Sequence, residues 1–221
     1  GMAYTRIGKI DEANKIDKRL LSSITNFNST TYLERYQTFK LDLLISSGDY
    51  KEARKLAEKY INDMVKLYSA NSYKIFDAYN RIRGAWGVAQ QNEEIIYWSE
   101  KALNYYNLVL DGQDEKIIMD LNTSLAYGYG ASWYKNTEDI NIASKFKSYT
   151  SIIYDYYKKN KDILDNVEGN YLIALMLKAN LHHSMKEHLK SYKLDKEMLS
   201  IIIKDQKDFS EDNSLEVSSI D

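Results

Sequence analysis

The stretch Gly48-Asp49-Tyr50-Lys51-Glu52-Ala53-Arg54-Lys55, GDYKEARK, reads as a tight turn followed by the opening of a helix. Asp49 and Glu52 form an Asp-x-x-Glu box, in which each side chain can take a free amide at the next helix start. From Tyr50 onward Ala53, Ala57, Tyr60, Met64 and Leu67 recur three or four apart, on one face of a helix. Upstream, Ile10, Ala13, Ile16, Leu20, Ile24 and Phe27 keep the same spacing. Related turns recur as GKIDEANK (8–15), NEEIIYWSEKAL (92–103), TEDINIASK (137–145) and MKEHLKSY (185–192). The small alanine after the turn falls at Ala13, Ala53 and Ala143, with Ile95 and Leu189 in its place in the other two segments, at spacings of 40, 42, 48 and 46 residues. A period of this size signals a stack of helical hairpins.

Composition agrees. The chain has 221 residues and no proline, which removes the commonest helix breaker. No stretch sustains strand alternation, and no Asn-Gly or Asp-Gly hairpin signal is flanked by such runs. Polar breaks fall at 28–30, 46–49, 70–72, 90–92, 111–114, 136–139, 165–169 and near 184. Its 20 tyrosines suit thin two-layer packing, in which a ring is buried and its hydroxyl stays polar. A net charge of -2 gives no basic field for a phosphate backbone, so direct nucleic-acid binding is not expected. Cysteine is absent, no apolar run approaches the length of a membrane span, and a cytoplasmic location without membrane contact is expected.

These residues resemble the tetratricopeptide repeat (TPR), in which a helical hairpin carries aromatic, Leu-Gly and Tyr positions before a Gly-Asp-Tyr-like turn. Gly1, Tyr4, Gly8, Ala13 and Leu20 match in register, followed by Gly48, Asp49, Tyr50 and Ala53. Tyr79, Ile82, Trp86 and Ala102 match next, then Tyr127, Ala131, Tyr134 and Ala143. The usual period is about 34 residues, so this is an extended version. Arg83 stands where glycine is usual, Ser99 replaces a large aromatic, and the last unit matches only in pattern. The resemblance implies an all-α, right-handed superhelix of antiparallel hairpins, an α-solenoid, as a single domain over 1–206. A polar, acidic tail over 207–221 would follow. GMAYTRIGK reads as the last turns of a first helix, so the first hairpin is expected to lack most of one arm.

No chemistry-bearing constellation stands out. Asn92, Glu93 and Glu94 read as a cap followed by two anions at the positive end of a helix dipole, not as an acid/base dyad. His182, His183 and His188 are separated by one and five residues, a poor fit to the His-x-x-x-His spacing of a helical zinc site. Gly128 and Gly130 lie in a helical aromatic pattern with no following Lys-Ser or Lys-Thr, and suit close helix approach. No enzyme activity, metal or cofactor is expected.

The resemblance implies instead that first helices line a concave groove for a protein or peptide. The groove-facing positions map to Arg35, Thr38 and Asp42, then to Asp77, Asn80 and Gly84. Further along they map to Gly128, Ser132 and Lys135, and then to Lys178 and His182. Long repeats of this kind also resemble the regulatory half of peptide-sensing bacterial regulators, where groove asparagines hold the peptide backbone. Asn80 occupies such a place, with Thr38, Gly128 and Ala174 at the corresponding sites of other units. A DNA-binding or effector module upstream would fit that reading. The alternative is a structural adaptor that dimerises through exposed tyrosines, with no groove ligand.

Overall fold

The computed structural model describes residues 9–24, 30–160 and 167–217. Phe27 and the opening Gly1, Tyr4 and Gly8, with the expectation of a missing arm, lie outside the described residues. Among the described residues there are nine α-helices and no strand. They are α1 Ile10–Ile24, α2 Thr30–Ser46, α3 Tyr50–Leu67, α4 Tyr73–Val88, α5 Asn92–Leu108, α6 Glu115–Lys135, α7 Ile140–Asn160, α8 Val167–Ser184 and α9 His188–Val217. The last helix runs past residue 206, where the sequence places the end of the repeats. The chain divides into two compact units, Gly1–Ser124 and Leu125–Asp221, where a single domain was expected.

In unit 1, α2 packs on α3 and α4 on α5, as hairpins, while α1 packs on α2 and α3 on α4. The first helices α2 and α4 also touch each other directly, the contact by which one hairpin stacks on the next. Ala53 and Ala57 on α3 are fully buried, small enough to let Leu41, Ile82 and Trp86 close over them in one core. Tyr50, from the turn, sets its ring 5.9 Å from that of Trp86. Each large apolar side chain withdrawn from water here contributes about 1.5–3 kcal/mol before chain entropy is counted.

The α2–α3, α4–α5 and α8–α9 turns share one hydrogen-bond pattern. At Gly48, Gln90 and Lys186 the backbone is left-handed, with φ of 79°, 54° and 61°. Each of these amides donates three residues back, and the following amide donates five residues back, to Leu44, Trp86 and His182. This is the helix-ending Schellman motif, here made twice without glycine. The expected caps fare less well. Asp49 makes no side-chain cap bond, its amide donating instead to Leu44, and Glu52 pairs with Lys55 at 2.6 Å. Asn92 is the first helical residue of α5 and not its cap. The capping side chains are Ser72, Asp114 and Asp139, each accepting from amides two or three residues on.

The last turn also corrects the repeat register. The amides of Ala53, Ile95 and Ala143 donate to the residue just before each second helix, and in α9 the equivalent donor is Ser191, to Glu187. Ser191 is 6% exposed, whereas Leu189 is 69% exposed. The buried position therefore falls at Ser191, two residues after the one expected. A glycine-free turn hid the true helix end from sequence reading.

The tyrosines behave as their chemistry suggests. Tyr105 donates to the carbonyls of Ala70 and Ser72 at 2.6 and 3.1 Å, fastening the α3–α4 loop, and Tyr68 donates to Glu34 at 2.6 Å. Tyr106 accepts from the Asp114 amide at 3.1 Å, and Gly112 lies against its ring where no Cβ fits.

Candidate functional site

The candidate face lies on α2 and α4 of unit 1. Counting back from the left-handed residue of each turn, Arg35, Thr38 and Asp42 lie 13, 10 and 6 residues before Gly48. Asp77, Asn80 and Gly84 lie at the same distances before Gln90. Because α2 and α4 pack side by side, equal register places equivalent residues on matching faces. Arg35 and Asp77 are exposed, while Thr38, Asn80 and Asp42 are half-buried.

Behind this face the Tyr60 ring of α3 is buried. Burial raises its hydroxyl pKa; Thr38 and Arg81 pull it down, and Glu34 and Asp77 push it up. Thr38 donates to the Glu34 carbonyl at 2.9 Å, and Gln37 donates to Asp63 at 2.8 Å. Asn80 differs from these neighbours, because its Oδ1 is buried and has no hydrogen-bond partner. Chemically the face offers a guanidinium and a carboxylate, with the unpaired Asn80 amide oxygen buried behind them, groups suited to a peptide's charged side chains.

Arg83, in the position where the resemblance leads one to expect glycine, points the other way. Its guanidinium donates to Asp120 Oδ2 at 2.6 Å and to the Ser124 hydroxyl, clamping α4 to α6. Its role is to join consecutive first helices. Ser99, in place of an aromatic, is fully buried on α5.

In unit 2 the candidates separate. Lys135 is exposed and Ser132 half-buried on α6. Lys178 turns toward α7, with Nζ 3.3 Å from Ser151 Oγ and 4.8 Å from the Tyr154 ring centre. Burial, with Lys158 and Lys147 nearby, holds its pKa below the usual lysine range despite Asp155. His182 Nδ1 lies 2.6 Å from Glu187 Oε2, bracing the α8–α9 turn. Glu187 is held below the usual carboxylate range by hydrogen bonds from Lys190 and then His182.

The same two-residue displacement explains these positions. Counting 13, 10 and 6 back from Lys186 gives Ile173, Met176 and Asn180, whose exposures parallel those of Arg35, Thr38 and Asp42. These three, and not Lys178 and His182, hold that register on α8. The helix stop at Lys186 would have found them, but nothing in its residue type announces a left-handed conformation. Ala174, fully buried, also falls outside the face. Gly130 does serve close approach, since a Cβ there would lie 2.8 Å from the Phe146 ring. The His183 and His188 rings meet edge to face at 5.3 Å, and among the described residues no three His, Cys, Asp or Glu side chains converge.

No protein-family model and no curated protein matches the chain. Two solved structures do. One is a kinesin light chain-like protein of Podosopora anserina with nearly identical TPR-like repeats, at 14% identity, covering 92% of each chain with a TM-score of 0.66. The other is a single-substitution variant of it, at 13% identity, covering 93% of this chain and 92% of that one, also with a TM-score of 0.66. The fold is that of a TPR-like helical-repeat α-solenoid.

Proposed function

We propose, from a TPR-like repeat fold whose unit 1 sets two first helices side by side, that the chain is a protein- or peptide-binding scaffold. Arg35, Thr38, Asp42, Asp77 and Asn80 form its contact face. The observation that carries this reading is the Asn80 amide, a buried acceptor without a donor, next to an exposed acid on the same helix. An unpaired buried acceptor costs about 1–3 kcal/mol, and a main-chain N–H from a bound segment would remove that cost.

On unit 2 the contacts are Asn180, in the register of Asp42, with half-buried Ser132 and exposed Lys135 of α6, while Lys178 and His182 serve the packing of α8. The narrower reading, a peptide-sensing regulatory domain of a larger protein, rests on Asn80 alone, since Met176 occupies the equivalent place on α8. No part of the proposal requires catalysis, a metal or a cofactor.

The test is selection of random displayed peptides on the immobilised chain, followed by titration of the enriched sequence against variants. Asn80→Ala and Arg35→Ala are expected to weaken binding roughly tenfold each, about 1.4 kcal/mol, with no loss of Tm. Retained binding in both variants, or a parallel loss of Tm, would show that these side chains serve packing.

A further inference from the structure

The helices α2 and α8 each carry a lysine eight residues before the left-handed residue that ends them, Lys40 before Gly48 and Lys178 before Lys186. Each lysine reaches back to the helix that precedes it in the chain. Lys40 Nζ lies 2.6 Å from Asp17 Oδ2 of α1, a carboxylate that is itself buried. In α7 the counterpart of Asp17 is Lys147. The register is fixed by Ala13 and Ala143, whose amides donate to the residue just before α1 and α7, since Asp17 and Lys147 each stand four residues further on. The acid that neutralises the lysine in unit 1 is therefore replaced, in unit 2, by a second lysine.

A third lysine joins them. Lys178 Nζ, half-buried, has Ser151 Oγ at 3.3 Å and the Tyr154 ring centre at 4.8 Å, and Lys158 Nζ lies 5.3 Å from the same ring centre. Lys147, Ser151, Tyr154 and Lys158 are four, three and four residues apart, on one face of α7, with Lys147 and Lys158 exposed. Burial lowers the Lys178 pKa and the two other lysines lower it further, against the pull of Asp155. The acids acting on this cluster are Asp155, which is exposed, and Glu197 of α9, which accepts from the Tyr171 hydroxyl at 2.6 Å. Among the described residues neither forms an ion pair with Lys147, Lys158 or Lys178.

We propose that this face of α7 and α8 binds a phosphoryl group, held by Lys178 and Ser151 from within and by Lys147 and Lys158 from the rim. One carboxylate balances one ammonium group between α1 and α2. Three ammonium groups and a hydroxyl are instead the donor set of a dianion. Ser151 Oγ accepts from Lys178, which leaves its own O–H to donate to an oxyanion. Free phosphate and a phosphorylated side chain of a partner share this chemistry, and the experiment separates them. Lys178 thus has a part beyond packing α8 on α7, and the site is independent of the ligand face on α2 and α4.

The test is titration calorimetry on the full 221-residue chain at low ionic strength, with inorganic phosphate, a phosphoserine peptide, the same peptide unphosphorylated, and acetate. Phosphate, the phosphopeptide or both are expected to bind, the tighter of the two identifying the source, and added salt should weaken them. Lys147→Asp restores the arrangement of Asp17 with Lys40, so it should weaken phosphate or phosphopeptide binding roughly tenfold or more while raising Tm, a pairing of effects that a damaged fold does not give. Lys158→Gln, on the surface, should weaken binding severalfold with no loss of Tm. Failure of both phosphate and the phosphopeptide to bind would overturn the proposal. So would acetate or the unphosphorylated peptide binding as tightly, or binding indifferent to Lys147→Asp and Lys158→Gln alike.

Discussion

In unit 1 charged side chains carry much of the contact between consecutive hairpins. Lys40 on α2 pairs with Asp17 on α1 at 2.6 Å, where burial and Asp17 together push the Tyr36 hydroxyl up to about 12. Arg54 on α3 reaches Glu94 on α5 at 3.0 Å and lies 4.4 Å from the Tyr97 ring centre, and Arg83 clamps α6. Unit 1 adds ring pairs such as Tyr79–Trp98 at 6.2 Å to these charges, whereas unit 2 joins its helices through rings. Tyr129 stacks on Tyr149 at 5.7 Å, Trp133 meets Phe146 at 5.9 Å, and Tyr154 stacks on Tyr171 at 6.3 Å. A charged link tolerates a loose fit, because Coulomb attraction falls slowly with distance, but salt screens it. A ring contact survives salt and demands space, which is why unit 2 needs a bare backbone at Gly130.

The strongest way to break this contrast is to fill that space. Gly130→Val should cost about 2–3 kcal/mol in urea unfolding, since the buried Phe146 ring has nowhere to move. An unchanged midpoint would mean that the rings do not set the fit of unit 2. The corrected register is tested next: Ser191→Leu should destabilise by about 2 kcal/mol through overpacking, and Leu189→Ser by less than about 0.5 kcal/mol. The reverse order would restore the register expected from sequence.

The charged side of the comparison predicts a smaller loss. Arg83→Ala should cost about 1–2 kcal/mol, and 1 M salt should reduce that difference. Insensitivity to salt would make Arg83 a packing residue. Smaller still, and opposite in sign, Gly84→Ala should stabilise by about 0.5–1 kcal/mol, because nothing lies within 4 Å of its Cβ position and alanine favours the helix.

The last effect is a pH slope. Burial raises the Glu94 pKa, against the pull of Arg54 and of the hydrogen bond from Trp98. The folded state therefore holds this proton to higher pH than the unfolded chain does. Stability falls as pH rises from about 4 through the raised folded value, and Glu94→Gln should flatten that slope in thermal melts. A slope that persists in the variant would assign it to another group.

Helix content and repeat phase in unit 1 were legible in the sequence because they depend on local features. Ala13, Ala53 and Ile95 mark buried positions after turns, and Gly48 announces the first left-handed stop. The equal spacing of α2 and α4 was legible for the same reason, since Arg35 and Thr38 stand as far before Gly48 as Asp77 and Asn80 do before Gln90. On α8 the same reading slipped by two residues, since Lys186 adopts a conformation that its side chain does not advertise.

The sequence by itself determined that this chain is helical and repetitive, because apolar spacing, the lack of proline and the turn residues act within a few positions of one another. Only the tertiary structure decided which lysines brace helices and which amide is left unpaired. It also decided that Arg83 is a clamp and where the last hairpin begins. Those outcomes depend on what a neighbouring helix brings within a few ångströms, and no single segment carries that information.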